Sequence, residues 1–137
     1  MSDYLLDSGV LIRHLRDQRG YPELTNRLMD EADVYISAMT RLEIVCASKE
    51  RERRDTFDLL DSLETIPMSS AIADRAGELI REWRGRGITL GDADAIIAAS
   101  ALHNALILVT TNTRHFPMPE LVVLQADEQG HLTQAVR

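Results

Sequence analysis

Tyr4-Leu5-Leu6-Asp7-Ser8-Gly9-Val10-Leu11-Ile12 holds the decision about the fold. Three residues suited to a short buried strand run straight into an acid. Ser8-Gly9 then opens a segment reaching Leu15 whose apolar positions fall at helical spacing. A strand ending at Asp7 and a helix starting directly after it make the first half of a strand–helix–strand unit. A second helical stretch spans about Pro22 to Glu31, and the β-branched and aromatic Val34-Tyr35-Ile36 then reads as the next strand. Another helix opens at Thr40. It continues or breaks through the charged run Lys49 to Asp55, a solvated helical face, and ends near Leu63 before a brief Glu64–Pro67 strand.

Farther along, Ile72, Ala76, Leu79, Ile80 and Trp83 recur at helical spacing, with Gly85 and Gly87 marking the helix end and Trp83 assigned to the core. Asp92 to Leu102 is apolar almost all round, which predicts a helix buried on several faces. A strand at Leu106–Val109, a loop at Thr110–Pro117 and a last strand at Leu121–Leu124 complete the pattern. The polar tail from Gln125 shows no periodicity. Strands alternating with helices predict an α/β sandwich with a mainly parallel sheet joined by right-handed crossovers.

The composition sets limits. The 137 residues, 45% hydrophobic and 27% charged, suit one compact domain, 1–137, with no repeat, linker or low-complexity tract. No apolar run is long enough to cross a bilayer and no secretory signal is readable, so a cytoplasmic address is expected. Twenty-two acids against fifteen bases give a net charge of −7, which opposes general coating of nucleic acid. An enzyme that gathers carboxylates around cations can still be acidic. Cys46, the single cysteine, is expected to be buried in Ile44-Val45-Cys46-Ala47.

Topology makes three acids converge. Ligands of parallel sheets bind beyond the carboxyl ends of the strands, where Asp7 stands. Glu43 lies near the start of the helix entered after the second strand. Asp94 begins a crossover helix that runs antiparallel to its strand and so returns to the same edge. Each acid also has a simpler reading: Asp7 as a helix cap, Thr40 with Glu43 as a capping box, Asp92 or Asp94 as a complement to the helix dipole. Asp92 and Asp94 cannot face the same way; Asp92 is assigned to capping and Asp94 to the cluster. Three carboxylates within a few ångströms call for a hard cation, Mg2+ or Mn2+. His14, His103, His115 and His131 lack metal-ligand spacing, which argues against zinc.

Leu5–Ile12, Thr40–Glu43, Asp94–Ala101 and Leu108–Phe116 resemble, in order, the four signature blocks of PIN domains, and within them VapC-type toxins. The resemblance covers about residues 3–124. It implies a three-layer α/β/α fold and a Mg2+- or Mn2+-dependent endoribonuclease that hydrolyses RNA phosphodiesters with metal-activated water. It also implies a VapB-type antitoxin as partner and a homodimer. By position it carries the metal-ligand role to Asp7, Glu43 and Asp94, with Ser8, Thr110 and Asn112 as supporting polar groups. Asn112 and His115 stand where a further acid is often found, so one firmly held ion is expected, with a second conditional on substrate phosphate. His115 is read as either a phosphate contact or a residue packed beside Phe116, and the structural place is preferred. Lys49 is the only lysine, so contacts to RNA phosphate fall to arginines: Arg13, Arg16, Arg41 and above all Arg114. Two rival readings are a PIN-like module that binds without cleaving, and a Mg2+-dependent phosphoacceptor receiver domain. Lys49 is badly placed for the second.

Overall fold

The computed structural model describes residues 2–135. Its strands are β1 (Tyr4–Leu6), β2 (Val34–Ser37), β3 (Glu64–Ile66), β4 (Ile107–Thr110), β5 (Val123–Ala126) and β6 (Leu132–Gln134). The helices are α1 (Ser8–Leu15), α2 (Tyr21–Glu31), α3 (Ala38–Ala47), α4 (Arg53–Asp61), α5 (Ser70–Gly85) and α6 (Asp92–His103). The sheet order is β3-β2-β1-β4-β5-β6, parallel throughout except for the β5–β6 pair. The chain builds outward from β1 to β3 and then returns to lay β4 against the other side of β1. Strand order therefore reverses between β1 and β4, the point at which open parallel sheets form a ligand crevice.

Register pairs Leu5 with Leu108 and Leu6 with Val109. Because neighbouring side chains on a strand point to opposite faces, the two pairs serve different cores. Leu5, Leu108 and Val123 pack with Ile72, Ala76, Leu79 and Trp83 of α5 and with α6. Leu6 and Val109 pack with α1, α2 and α4 on the other face. These are the three layers expected. In α6, Ala95, Ile97, Ala98, Ala99 and Ala101 are all buried, and the Ser100 hydroxyl is satisfied by the Ile96 carbonyl at 2.8 Å.

Helix α3 belongs to neither layer alone. Ile44 lies in the α1–α2 core while Met39 packs against the α5–α6 core, and α3 touches both α1 and α6. It begins at Ala38, two residues earlier than the sequence suggests. Ser37 closes β2 in an extended conformation and its hydroxyl accepts the Thr40 N–H at 2.9 Å. With the cap supplied there, the Thr40–Glu43 capping box does not form, and Glu43 lies midway along the helix.

Three further expectations change. The charged run breaks rather than continues α3: a 3-10 turn at Glu50–Glu52 precedes α4, its Glu52 carboxylate accepting the Lys49 N–H at 2.9 Å. Cys46 is exposed, because it shares the outward side of α3 with Leu42, four residues before it and 60% exposed. The last parallel strand starts at Val123, since Met118 and Leu121 enter the core from the preceding loop.

The tail forms β6 instead of trailing. Gly130, at φ +76°, turns the chain back, and the turn packs on Gly20, at φ +89°. A Cβ on Gly20 would stand 1.8 Å from the Gln129 carbonyl oxygen, so only glycine allows the approach. Beside it the Tyr21 hydroxyl donates to the Asp127 carbonyl at 2.7 Å. No helix of the described residues is long and apolar enough to cross a membrane.

Candidate active site

Asp7 leaves β1 at the point of strand reversal and is held from several directions. Its N–H donates to the Val109 carbonyl at 2.9 Å, extending the β1–β4 pairing by one residue. Oδ1 accepts the Ser8 N–H at 2.8 Å, so Asp7 does cap α1. Oδ2 accepts the hydroxyl of Thr110 at 2.8 Å. Thr110 is fully buried at the end of β4 and its oxygen also accepts the Asn112 N–H at 3.1 Å. The cap reading and the site reading of Asp7 thus describe the same residue. Gly9 helps: a Cβ there would meet the Thr111 hydroxyl at 2.6 Å, so the bare backbone lets the first turn of α1 close on the loop after β4.

Asp94 is the third residue of α6 and half-buried. Gly91 occupies the cap position with no side-chain bond, so Asp92 is not the cap; it lies exposed in the first turn, where its charge complements the helix dipole. His115 turns toward Asp94, with Nδ1 at 3.2 Å from Oδ2, while the Asn112 amide nitrogen lies 3.0 Å from Nε2. The ring centroid is 6.5 Å from that of Phe116 in a tilted arrangement. The purely structural place given to His115 therefore misses its principal polar contact. Its signal in the sequence was the histidine itself, three residues after Asn112 and on the loop that closes the site.

Glu43 reaches the same edge because α3 spans both layers. Burial pushes its carboxyl above the usual value, the charges of Asp7 and then Asp94 push it further, and a hydrogen bond from Ser8 opposes them. Asp94 is also raised, by burial first and by Asp7, against the opposing pull of His115. Each acid thus lies within the field of the others. Glu43 Oε1 is buried without a hydrogen-bond partner.

Among the described residues, no three His, Cys, Asp or Glu side chains are gathered tightly enough to hold a metal ion as they stand. The acids share a field rather than a closed ligand cage. Their chemistry nonetheless fits a hard cation: the donors are anionic oxygens, and one of them is orphaned in a buried position, where lacking a partner is costly.

The candidate arginines divide. Arg41 is a strut, 2.7 Å from Asp61 Oδ1 and 3.2 Å from the Thr65 hydroxyl, and so is not available to phosphate. Arg13 lies over the Tyr21 ring at 5.6 Å, and Arg16 lines a groove with Ile12, Leu15 and Ile44. Arg114 is exposed on the 3-10 turn Thr113–His115, next to His115.

Comparison with known proteins bears on the family and the fold. The PIN domain family matches residues 4–120. Ribonuclease VapC10 of Mycobacterium tuberculosis is 34% identical over 131 residues, covering 96% of this chain and 98% of that protein. The tRNA(fMet)-specific endonuclease VapC of Shigella flexneri is 25% identical, with 85% of this chain and 91% of that protein covered. Among solved structures, VapBC2 from Rickettsia felis, bound to a DNA fragment from its promoter, superposes with a TM-score of 0.79 at 27% identity, covering 90% of this chain and 98% of the matched one. Fold and relatives agree, and the chain belongs to the PIN-domain family as a VapC-type ribonuclease.

Proposed function

We propose that this ribonuclease is a toxin that cuts RNA phosphodiesters at the β1–β4 crevice, with Asp7, Glu43 and Asp94 holding Mg2+, or Mn2+ in its place. The observation that carries this reading is Glu43 Oε1, a buried anionic oxygen without a partner, in a carboxyl raised by its two acidic neighbours. A cation bound there supplies Lewis acidity toward water and phosphate. The protein supplies orientation. Ser8 and Thr110 hold Asp7 in one pose, Ser8 also steadies Glu43, and Glu43 is the acid placed to take up a proton. Asn112 and His115 contribute no formal negative charge, so the free protein holds one ion firmly and a second only with substrate phosphate. Arg114, exposed beside the acids' loop, grips a phosphate oxygen pair.

The same reading makes the whole chain one domain, places it in the cytoplasm and gives it a VapB-type antitoxin and a second copy of itself as protein partners. The solved relatives that it superposes on are VapBC complexes, which supports the antitoxin. The test uses purified protein, RNA and Mn2+. Cleavage that EDTA stops and that Asp94→Asn abolishes, with the fold intact by circular dichroism, is the expected result. Intact RNA in Mn2+, together with unchanged metal affinity in Asp7→Asn and Asp94→Asn, sinks the metallonuclease reading.

A further inference from the structure

We propose that His115 is a positioning residue whose imidazole, held from behind by Asn112, fixes the carboxylate of Asp94 for metal binding. The inference rests on the reading of Asp94 as a ligand and adds a residue that the family's acidic pattern does not contain.

The direction of the hydrogen bonds follows from the donor inventory. The Asn112 amide nitrogen, 3.0 Å from His115 Nε2, can only donate. Nε2 therefore accepts, and the neutral ring carries its hydrogen on Nδ1, 3.2 Å from Asp94 Oδ2. Asn112 is itself tied down, its backbone N–H donating at 3.1 Å to the Thr110 hydroxyl oxygen, which in turn donates to Asp7 Oδ2 at 2.8 Å. One short segment, Thr110 to His115, thus supplies a donor to each of the two acids that flank the crevice.

The segment is rigid enough for that work. The His115 and Phe116 N–H groups close onto the Asn112 and Thr113 carbonyls at 3.3 and 3.0 Å. Directly after the turn, Phe116 and Met118 are fully buried in the α5–α6 core and anchor it. A carboxylate in the first turn of a helix otherwise has several rotamers open to it, and selecting one before the cation arrives lowers the entropic cost of binding. With Oδ2 held by the ring, Oδ1 is the Asp94 oxygen left outside that bond. Hydrogen bonds of this kind to metal ligands are worth about 10–100-fold in affinity.

The experiment compares Mn2+ binding, by calorimetry and by the electron paramagnetic resonance of the bound ion, in the wild type, His115→Ala, His115→Asn, His115→Gln and Asp94→Asn. An asparagine places its amide nitrogen near the imidazole Nδ1 position; a glutamine reaches toward Nε2. His115→Ala is expected to weaken Mn2+ about tenfold or more, Asn to restore most of the affinity and Gln to restore little, all with melting temperatures close to the wild type. The ring nitrogen shifts of His115 in the metal-free protein should also report the Nδ1–H tautomer. If His115→Ala binds Mn2+ as tightly as the wild type or more tightly while Asp94→Asn has lost the ion, His115 is a bystander or a competitor and the inference fails alone. If Asp94→Asn binds Mn2+ like the wild type, Asp94 is not a ligand, and the proposed site and this inference fall together.

Discussion

Asp7 and Glu43 lie in one field but are held in opposite ways. Asp7 has a donor on each carboxylate oxygen, from Ser8 and from Thr110, and its backbone is bonded into the sheet. Glu43 sits midway along a helix, its carboxyl raised by burial and by both neighbouring acids, with Oε1 buried and unpartnered. The fold gives both oxygens of the first acid a donor, whereas it disfavours the charged form of the second. A cluster built this way has a fixed anchor and an unsatisfied member, and a cation is worth most to the unsatisfied one.

The sharpest way to break that comparison is to remove charge from each acid in turn. Asp7→Asn, Asp94→Asn and Glu43→Gln are each expected to lower RNA cleavage on the order of 10³-fold, the scale of losing an electrostatic contact made at the reacting group. Stability separates them. In EDTA, Glu43→Gln should melt above the wild type, since a neutral amide replaces a carboxylate that burial and two like charges oppose. Asp7→Ala should melt below it, having lost the α1 cap and the Thr110 bond, at a cost of about 1–2 kcal/mol. Equal melting shifts of the same sign would show that the two acids are held alike.

The pH dependence has a definite sign. Glu43 and Asp94 both titrate above their ordinary values of 4.5 and 3.8 in the folded protein. As pH falls from neutral, the folded state takes up these protons before the unfolded chain does, so the two groups favour folding progressively through their raised values. The gain is complete once the pH is below the ordinary values, where both states are protonated. These two contributions raise the metal-free melting temperature on acidification, while His14 and Asp127, both held below their ordinary values, act the other way; Glu43→Gln should remove its own share of the rise. Mn2+ affinity should move the other way, because protons compete for the same oxygens. A wild-type curve that falls monotonically from neutral, unaltered by Glu43→Gln, would remove the basis for treating Glu43 as the unsatisfied member.

These acids were legible in the sequence because parallel topology fixes which end of a helix returns to which edge of the sheet. Asp7 and Asp94 needed only that rule. Glu43 was placed at the correct edge for an incomplete reason: periodicity could not show that Ser37 starts α3 early, or that the helix spans both layers and so carries Glu43 between α1 and α6. His115 was undervalued because its partner lies 21 positions away in sequence, and local pattern contains no such pairing. Strand β6 escaped for a similar reason. Its existence depends on the Gly20–Gly130 approach and on Tyr21 reaching Asp127, which are tertiary contacts that no window on residues 125–137 contains. Cys46 was misplaced by reading an apolar stretch as uniformly buried, when helical geometry alternates its sides.

A smaller effect is expected at Thr110. Thr110→Val keeps the shape of a fully buried side chain but removes the hydroxyl that donates to Asp7 and accepts from Asn112. Losing a hydrogen bond to a charged group costs about 1.5–3 kcal/mol of stability. Metal affinity should fall about tenfold, in line with the loss of an orienting contact to a ligand. Because Asp7 keeps the Ser8 N–H, the anchor loosens without being lost, and Mn2+ in excess should recover most of the cleavage. No recovery at high Mn2+ would mean that Thr110 acts on the reacting groups rather than through Asp7.

The smallest effect on cleavage is expected from Gly20→Ala, and it decides where the hold on Asp7 comes from. Gly20 lies just past the far end of α1, a helix of about 12 Å at 1.5 Å per residue. Alanine there must adopt φ +89° and put a Cβ 1.8 Å from a backbone oxygen, so the α1–α2 turn and the β5–β6 turn have to separate. The cost should exceed about 1 kcal/mol, since glycine-only backbone geometry and a backbone clash act together. Asp7, however, is fixed at the near end of α1 by bonds to Val109 and Thr110 of β4, neither of which involves that turn. Cleavage per folded molecule, measured well below the melting temperature in saturating Mn2+, should therefore match the wild type even though the protein melts lower. A parallel loss of cleavage and stability would locate the anchoring of Asp7 in the whole of α1, and the contrast with Glu43 would then lie in which helix carries the acid rather than in the sheet.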